Sequence, residues 1–269
     1  MCEIPQKVSV FDLPVHLLAD YSSLLVSYMR HNIGAHVVTL NAEMTIQAER
    51  NPALAKIVEQ ADLVIPDGSG IILYLLLQGK HARRCPGIEL AESLLHQSVA
   101  CGKQDADASR SVFFYGGVPG VAAAAAAMWQ RRLPELAIAG TEHGYLSPAE
   151  EQKLRLTLQQ QQPRLIYVGI GVPRQEIWIA KHRYLCPQGI WIGVGGSLDI
   201  WAGRKQRAPI WLRDRHLEWV YRLYTEPSRW RRMLALPQFA WRSLLQSPLY
   251  LTLTKHIKAL RQNNISIRN

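Results

Sequence analysis

The sequence predicts an α/β fold: a Rossmann-like, mainly parallel sheet flanked by helices, with a C-terminal basic helical appendage. Three observations predict it. Short apolar, β-branched runs alternate with helix-length segments; glycines and isolated polar residues sit at their junctions; and the net positive charge falls entirely in the last quarter of the chain.

In chain order, residues 8–11 read as a strand and 15–30 as a helix, neither with an obvious motif. The next strand is expected over 37–40. Asn51 before Pro52 reads as an N-cap with proline at the first helical position, opening a helix over 52–60. A strand over 63–65 leads to a helix over 69–77, after which Gly79 stands where a C-cap belongs. A helix over 88–100 follows, then strands over 112–115 and 136–139 around a helix over 121–132. Its alanine run, 122–127, suits a helix packed closely on a sheet. Helices over 148–161 and 174–184 bracket a strand over 165–170, and a last strand is expected over 190–194. Strands spaced by helices need crossovers, so the sheet is expected to be mainly parallel and covered on both faces.

Charge divides the chain in two. Lys plus Arg against Asp plus Glu is 17 to 18 for residues 1–203 and 14 to 3 for residues 204–269. The first part is therefore expected to be the Rossmann-like domain, and the second an appendage whose cations and aromatics suit phosphate capture or an anionic membrane surface. Leu217, Val220, Tyr221 and Tyr224 follow helical spacing. Read alone, that stripe is a core-packing helix, but cations and aromatics continue through Trp230, Trp241, Arg242, Lys255, Lys258 and Arg261. Cys2, Cys85, Cys101 and Cys186 show no metal-ligand spacing, which fits a reducing cytoplasm. Residues 1–5 lack the basic and apolar runs of a signal peptide. The longest aliphatic stretch, 71–77, has seven residues against the roughly 20 a membrane span needs.

Ligands of open parallel sheets bind outside the carboxyl ends of strands, which directs attention to three segments. These are Thr39-Leu40-Asn41, Pro66-Asp67-Gly68-Ser69-Gly70, and Gly169-Ile170-Gly171-Val172-Pro173-Arg174-Gln175-Glu176. Asp67 follows an apolar strand and precedes glycines that open a helix. It can act as a general base or bind a sugar hydroxyl; an Asx-turn or N-cap aspartate reads equally well. The spacing after Gly169 is not a dinucleotide fingerprint, although it leaves room for a nucleotide diphosphate. Glycines at 116, 117 and 120 read as turn geometry, and Asp199 as a structural hydrogen-bonding residue. Asp105-Ala106-Asp107 matches a metal-binding DxD pattern but precedes a strand instead of following one. No required metal and no cofactor are expected.

Taken together and in register, several motifs resemble the WecG/TagA/CpsF family of bacterial glycosyltransferases. They are Thr39-x-Asn41, Pro66-Asp67-Gly68, Arg84-x-Pro86-Gly87-x-Glu89-Leu90, Gly116-Gly117-x-Pro119-Gly120, Gly144-Tyr145, Gly169-x-Gly171-x-Pro173-x-Gln175-Glu176, Gly195-Gly196-x-x-Asp199, Arg207-Ala208-Pro209 and Leu217-Glu218-Trp219-x-x-Arg222-Leu223-x-x-Glu226-Pro227-x-Arg229. The resemblance implies an inverting transfer of an N-acetylmannosamine-type or related sugar. The donor is a UDP-sugar, the acceptor a polyprenyl-diphosphate-linked sugar, and the location the inner face of the plasma membrane. It implies Asp67 as general base with Thr39 and Asn41 beside it, and Gln175 in contact with donor or acceptor. Gly169 and Gly171 would let the ligand approach the backbone. Arginines suit diphosphate charge, and Arg84, Arg222, Arg229 and Arg232 are the candidates. Pro227 is expected to break any helix carrying the last three. Two departures are mild: Ala42 stands where proline is frequent, and Glu89 where aspartate is common. A nucleic-acid-binding α/β protein using the same basic tail is the alternative; a nicotinamide oxidoreductase lacks its fingerprint here.

Overall fold

A computed structural model describes residues 4–102 and 111–248. It begins with an antiparallel hairpin, β1 (Gln6–Val10) and β2 (Leu13–Leu17). Helix α1 (Tyr21–Arg30), β3 (Ala35–Leu40), α2 (Ala42–Arg50), α3 (Pro52–Glu59), β4 (Leu63–Pro66), α4 (Ser69–Leu77) and α5 (Gly87–Gly102) follow. Then come β5 (Val112–Gly116), α6 (Val121–Arg132), β6 (Ile138–Glu142), α7 (Pro148–Gln161), β7 (Leu165–Gly169), α8 (Arg174–His182) and β8 (Ile190–Gly193). Short helices close the described chain: α9 (Ser197–Trp201), α10 (Ile210–Asp214), α11 (Glu218–Thr225), α12 (Trp230–Met233) and α13 (Ala235–Leu245).

Strands β3 to β8 form one six-stranded sheet in the order β4-β3-β8-β7-β5-β6, with every pairing parallel. The expected Rossmann-like α/β class is what the molecule shows. Alternation along the strands feeds both faces. Phe114 and Tyr167 join a core with α1, α5, α6 and α9, while Phe113, Tyr115, Ile166 and Val168 point to α7 and α8. A third core joins the hairpin, α2, α3, α4 and α13 to Val38, Leu40 and Val64, and full burial of each such side chain contributes about 1.5–3 kcal/mol.

The helix starts follow their sequence signals. Asn51 Oδ1 accepts from the Leu54 N–H at 3.1 Å, and Ser147 with Glu150 forms a reciprocal capping box. Gly79 follows α4 in a left-handed conformation, as its C-cap position requires.

Three expectations shift. The helix expected from residue 15 begins only at Tyr21, because Leu13–Leu17 is a strand. Both residues between β1 and β2, Phe11 and Asp12, have positive φ, the geometry of a tight hairpin turn, but Phe-Asp is not a usual sequence for it. The strand expected over 136–139 lies at Ile138–Glu142, an edge position where half-buried Gly140, Thr141 and Glu142 lack the apolar signal. Helix α2 was not anticipated; its sequence is largely polar, and Asn41 starts it by accepting from the Met44 N–H at 3.0 Å.

The chain beyond Gly203 returns to the body. Helix α13 packs on α2 and α4, and Phe239, 2% exposed, lies with its ring 4.9 Å from Phe11 and 6.3 Å from Tyr74. The stripe at Leu217, Val220 and Tyr224 is not core: all three are exposed, and the buried residue of α11 is Glu218. Asp105 and Asp107, like Lys255, Lys258 and Arg261, lie outside the described residues.

Candidate active site

Leu40 and Pro66 are register partners at the carboxyl ends of β3 and β4. The next residues, Asn41 and Asp67, are therefore set side by side at the sheet's edge, and an added Cβ on Gly68 would stand only 3.0 Å from the Asn41 Cβ. The Asp67 backbone N–H donates to the Leu40 carbonyl, and its own carbonyl accepts from Arg84 Nε at 2.6 Å. Its Oδ1 accepts from the Gly87 N–H at 3.1 Å, the first residue of the sixteen-residue α5. A carboxylate is thus held against a helix N-terminus.

Burial pushes the Asp67 carboxyl above its ordinary pKa, while the guanidiniums of Arg84 and Arg222 and the Gly87 N–H pull the other way. These arginines share one acid. Glu218 Oε2 is 3.0 Å from Arg84 Nη2, and Glu218 Oε1 is 2.7 Å from Arg222 Nη2. Burial works to raise the Glu218 carboxyl, but Arg222 and Arg84 outweigh it and hold it below its ordinary value. The appendage is thereby latched to the strand end that carries Asp67.

Thr39 lies in the adjacent strand, where its hydroxyl donates to the Gly193 carbonyl at 3.3 Å. Gly87 is tight against it: a Cβ there would meet Thr39 Cγ2 at 2.7 Å. Gly193 ends β8, and Gln175 packs beside it. Gln175 is 2% exposed, and a Cβ on Gly193 would fall 2.4 Å from its Nε2. Thr39 and Gln175 therefore flank one strand terminus, in the crevice where ligands of open parallel sheets bind. Gly169 meets the turn at Gly195, and the carbonyl of Gly171, a residue with φ +82°, accepts from the Gln175 N–H at 2.9 Å.

The family model described as "Glycosyl transferase WecG/TagA/CpsF family" matches residues 8–251, nearly the whole chain. The protein belongs to the WecG/TagA/CpsF family. A Bacillus spizizenii protein named N-acetylglucosaminyldiphosphoundecaprenol N-acetyl-beta-D-mannosaminyltransferase is 37% identical over 224 residues, 83% of this chain and 84% of that one. Proteins of the same name from Bacillus subtilis and Staphylococcus aureus are 30% and 32% identical, over 79% and 77% of this chain and 80% and 78% of theirs.

In this WecG/TagA/CpsF member the remaining arginines are dispersed. Arg229 Nη1 lies 3.5 Å from Glu226 Oε1, and Lys205 Nζ is 3.1 Å from Glu226 Oε2 and 3.8 Å from Asp199. Arg232 instead meets Glu43 of α2 at 2.6 Å. The helix is broken at Glu226, as Pro227 requires, so Arg222 and Arg232 lie in different helices. Glu89 pairs with Arg207 at 2.5 Å and Arg213 at 3.5 Å, joining α5 to the appendage. Among the described residues no group of three His, Cys, Asp or Glu side chains is placed to hold a metal ion.

Glu218 and Glu226 stand in the last motif of the sequence but carried no individual role there. A signal was present: residues 204–269 hold three acids against fourteen cations, and two of those acids pair with the candidate arginines. Glu176 closes a quoted motif without a role of its own, and His36 was passed over. They form a buried pair at 2.8 Å beside Gln175.

Proposed function

We propose that this glycosyltransferase moves an N-acetylmannosamine-type sugar from a UDP donor to a polyprenyl-diphosphate-linked acceptor, with inversion, at the inner face of the plasma membrane. The observation that carries the chemistry is Asp67, a carboxylate with a raised pKa on a strand end, against a helix N-terminus and within the field of Arg84 and Arg222. The names of the three relatives supply the sugar and the acceptor class.

In this reading Asp67 takes the proton from the acceptor hydroxyl as its oxygen attacks the anomeric carbon. The C–O bond to the UDP diphosphate breaks on the opposite face, and its electron pair leaves with the phosphate. General-base help of this kind is worth about 10²–10⁴ in rate. Charge growing on the diphosphate is met by Arg222 and, across the Glu226 turn, Arg229, whose forked donors match phosphate oxygens. Thr39 and Asn41 border the reacting hydroxyl.

The membrane part rests on the appendage surface. Trp211, Trp219, Tyr224, Trp230 and Trp241 are exposed among its cations, a composition suited to an anionic lipid interface. No helix among the described residues is long and apolar enough to cross a membrane. The nucleic-acid reading of the same cations has no support in the names of the relatives.

The deciding experiment offers a panel of UDP-sugars with a polyprenyl-diphosphate-linked N-acetylglucosamine acceptor, reading product mass and anomeric configuration by NMR. UDP-N-acetylmannosamine is expected to give a β-linked disaccharide lipid. Transfer of a different sugar, or none to the lipid acceptor, overturns the reading.

A further inference from the structure

The pair formed by His36 and Glu176 sits wholly inside the protein, 140 residues apart in sequence. Glu176 Oε2 is 2.8 Å from His36 Nε2, and Glu176 Oε1 is 2.9 Å from Gln175 Nε2. A carboxylate can only accept, so both nitrogens point their hydrogens at it. This removes the freedom an amide ordinarily has. Gln175 Nε2 must face Glu176, and Gln175 Oε1 must face the other way.

That oxygen is buried and has no hydrogen-bond partner among the described residues. An unsatisfied buried acceptor costs about 1–3 kcal/mol, enough to require an account. Its surroundings provide one. A Cβ built on Gly195 would find nothing within 4 Å except Gln175 Oε1, at 4.0 Å, and Cβ positions on Gly171 and Gly196 find nothing at all. The oxygen therefore borders open space between the glycine turns that end β7 and β8.

We infer that His36 and Glu176 are positioning residues that lock Gln175 with its carbonyl oxygen toward this crevice, so that position 175 accepts a hydrogen bond from an N–H or O–H group of the nucleotide sugar. The inference rests on the proposed donor reading for its substrate but on the buried network for its geometry. The substitution Glu176→Gln changes the polarity with almost no change in shape. The amide it introduces can donate to Gln175 Oε1 while accepting from His36, which turns Gln175 Nε2 toward the crevice and leaves the substrate donor facing another donor.

The test is a double-mutant cycle on the full chain, with wild-type turnover of UDP-N-acetylmannosamine established first. Absence of that turnover refutes the donor reading and is a separate result. Given turnover, Glu176→Gln and Gln175→Met are each expected to lower kcat/KM by about 10- to 100-fold with little change in Tm. Glu176→Gln should then have no further effect in the Gln175→Met background. His36→Gln, which keeps a donor for Glu176, should stay near wild type where His36→Leu does not. Weaker binding of UDP alone in Gln175→Met assigns the contact to the uridine, through the uracil N–H or a ribose hydroxyl, and unchanged UDP binding assigns it to the transferred sugar; both support the inference. Additive losses accompanied by a fall in Tm overturn it. If Glu176→Gln does not fold, wild-type kinetics of Gln175→Met overturn it alone.

Discussion

Arg84 and Glu218 stand 134 residues apart in the chain and 3.0 Å apart in the molecule. One anchors the strand end that carries Asp67; the other is the buried acid of the appendage. Glu218→Gln removes the charge that both Arg84 and Arg222 face. Stability is expected to fall by about 1.5–3 kcal/mol, the usual worth of a charged hydrogen bond, as read by urea unfolding. Glu218 also raises the Asp67 pKa by its charge. The acid limb of the kcat/KM profile should therefore move to lower pH in this variant.

Asp67→Asn tests the base directly. UDP binding is expected to persist, and transfer to fall by about 10²–10⁴ or more. A fully active variant removes Asp67 from the chemistry. In the wild type the base must be ionised, and burial raises its pKa. Activity should accordingly fall away on acidification at a pH above the ordinary carboxylate range.

His16 predicts a different pH effect. Its Nδ1 accepts from the Val64 N–H of edge strand β4 at 2.9 Å, which only the ring lacking a proton there can do. Burial and the Lys7 charge lower its pKa from 6.5. With the folded value below the unfolded one, the unfolded chain takes up the proton first, so this contribution to stability is present above about pH 6.5 and lost as pH falls. His16→Asn keeps an acceptor at a similar reach and removes the titration. Wild type should lose more urea resistance than this variant between about pH 7.5 and 5.5. Equal losses would rule out the assignment.

Phe239→Ala empties a site between Phe11 and Tyr74. The expected loss is about 3–5 kcal/mol, and limited proteolysis should cut after residue 204 sooner than in wild type. An unchanged Tm would mean that α13 is not part of the cooperative unit.

The membrane proposal is tested without truncation, since removing residues 204–269 would also uncover that site. Trp211, Trp219 and Tyr224, all exposed, are changed together to serine. Co-sedimentation with vesicles containing anionic lipid should drop strongly while Tm holds. Undiminished sedimentation overturns the proposed attachment.

Much of this was legible in the sequence, for reasons that differ by feature. The parallel sheet was readable because its strands are buried on both faces, so Val112 to Tyr115 and Ile190 to Ile192 are continuous apolar runs. Asp67, Thr39 and Gln175 were readable as polar residues where such runs stop. The β1–β2 turn was not, since Phe11 hides a left-handed conformation behind a bulky side chain. Glu218 and the His36–Glu176 pair escaped for another reason. The i,i+4 spacing of Glu218 and Arg222 was there to be read, but the links from Glu218 to Arg84 and from His36 to Glu176 span more than a hundred residues, which periodicity and local spacing do not report.

Phe239 completes a core that begins with Phe11, which orders events during synthesis. The apolar patch between Phe11 and Tyr74 emerges early and stays bare until α13 has been made. Its cover arrives on the same segment that brings Arg222 beside Asp67 and displays the exposed tryptophans. A nascent chain therefore acquires its last piece of this core and the arginine beside the Asp67 carboxylate from one segment.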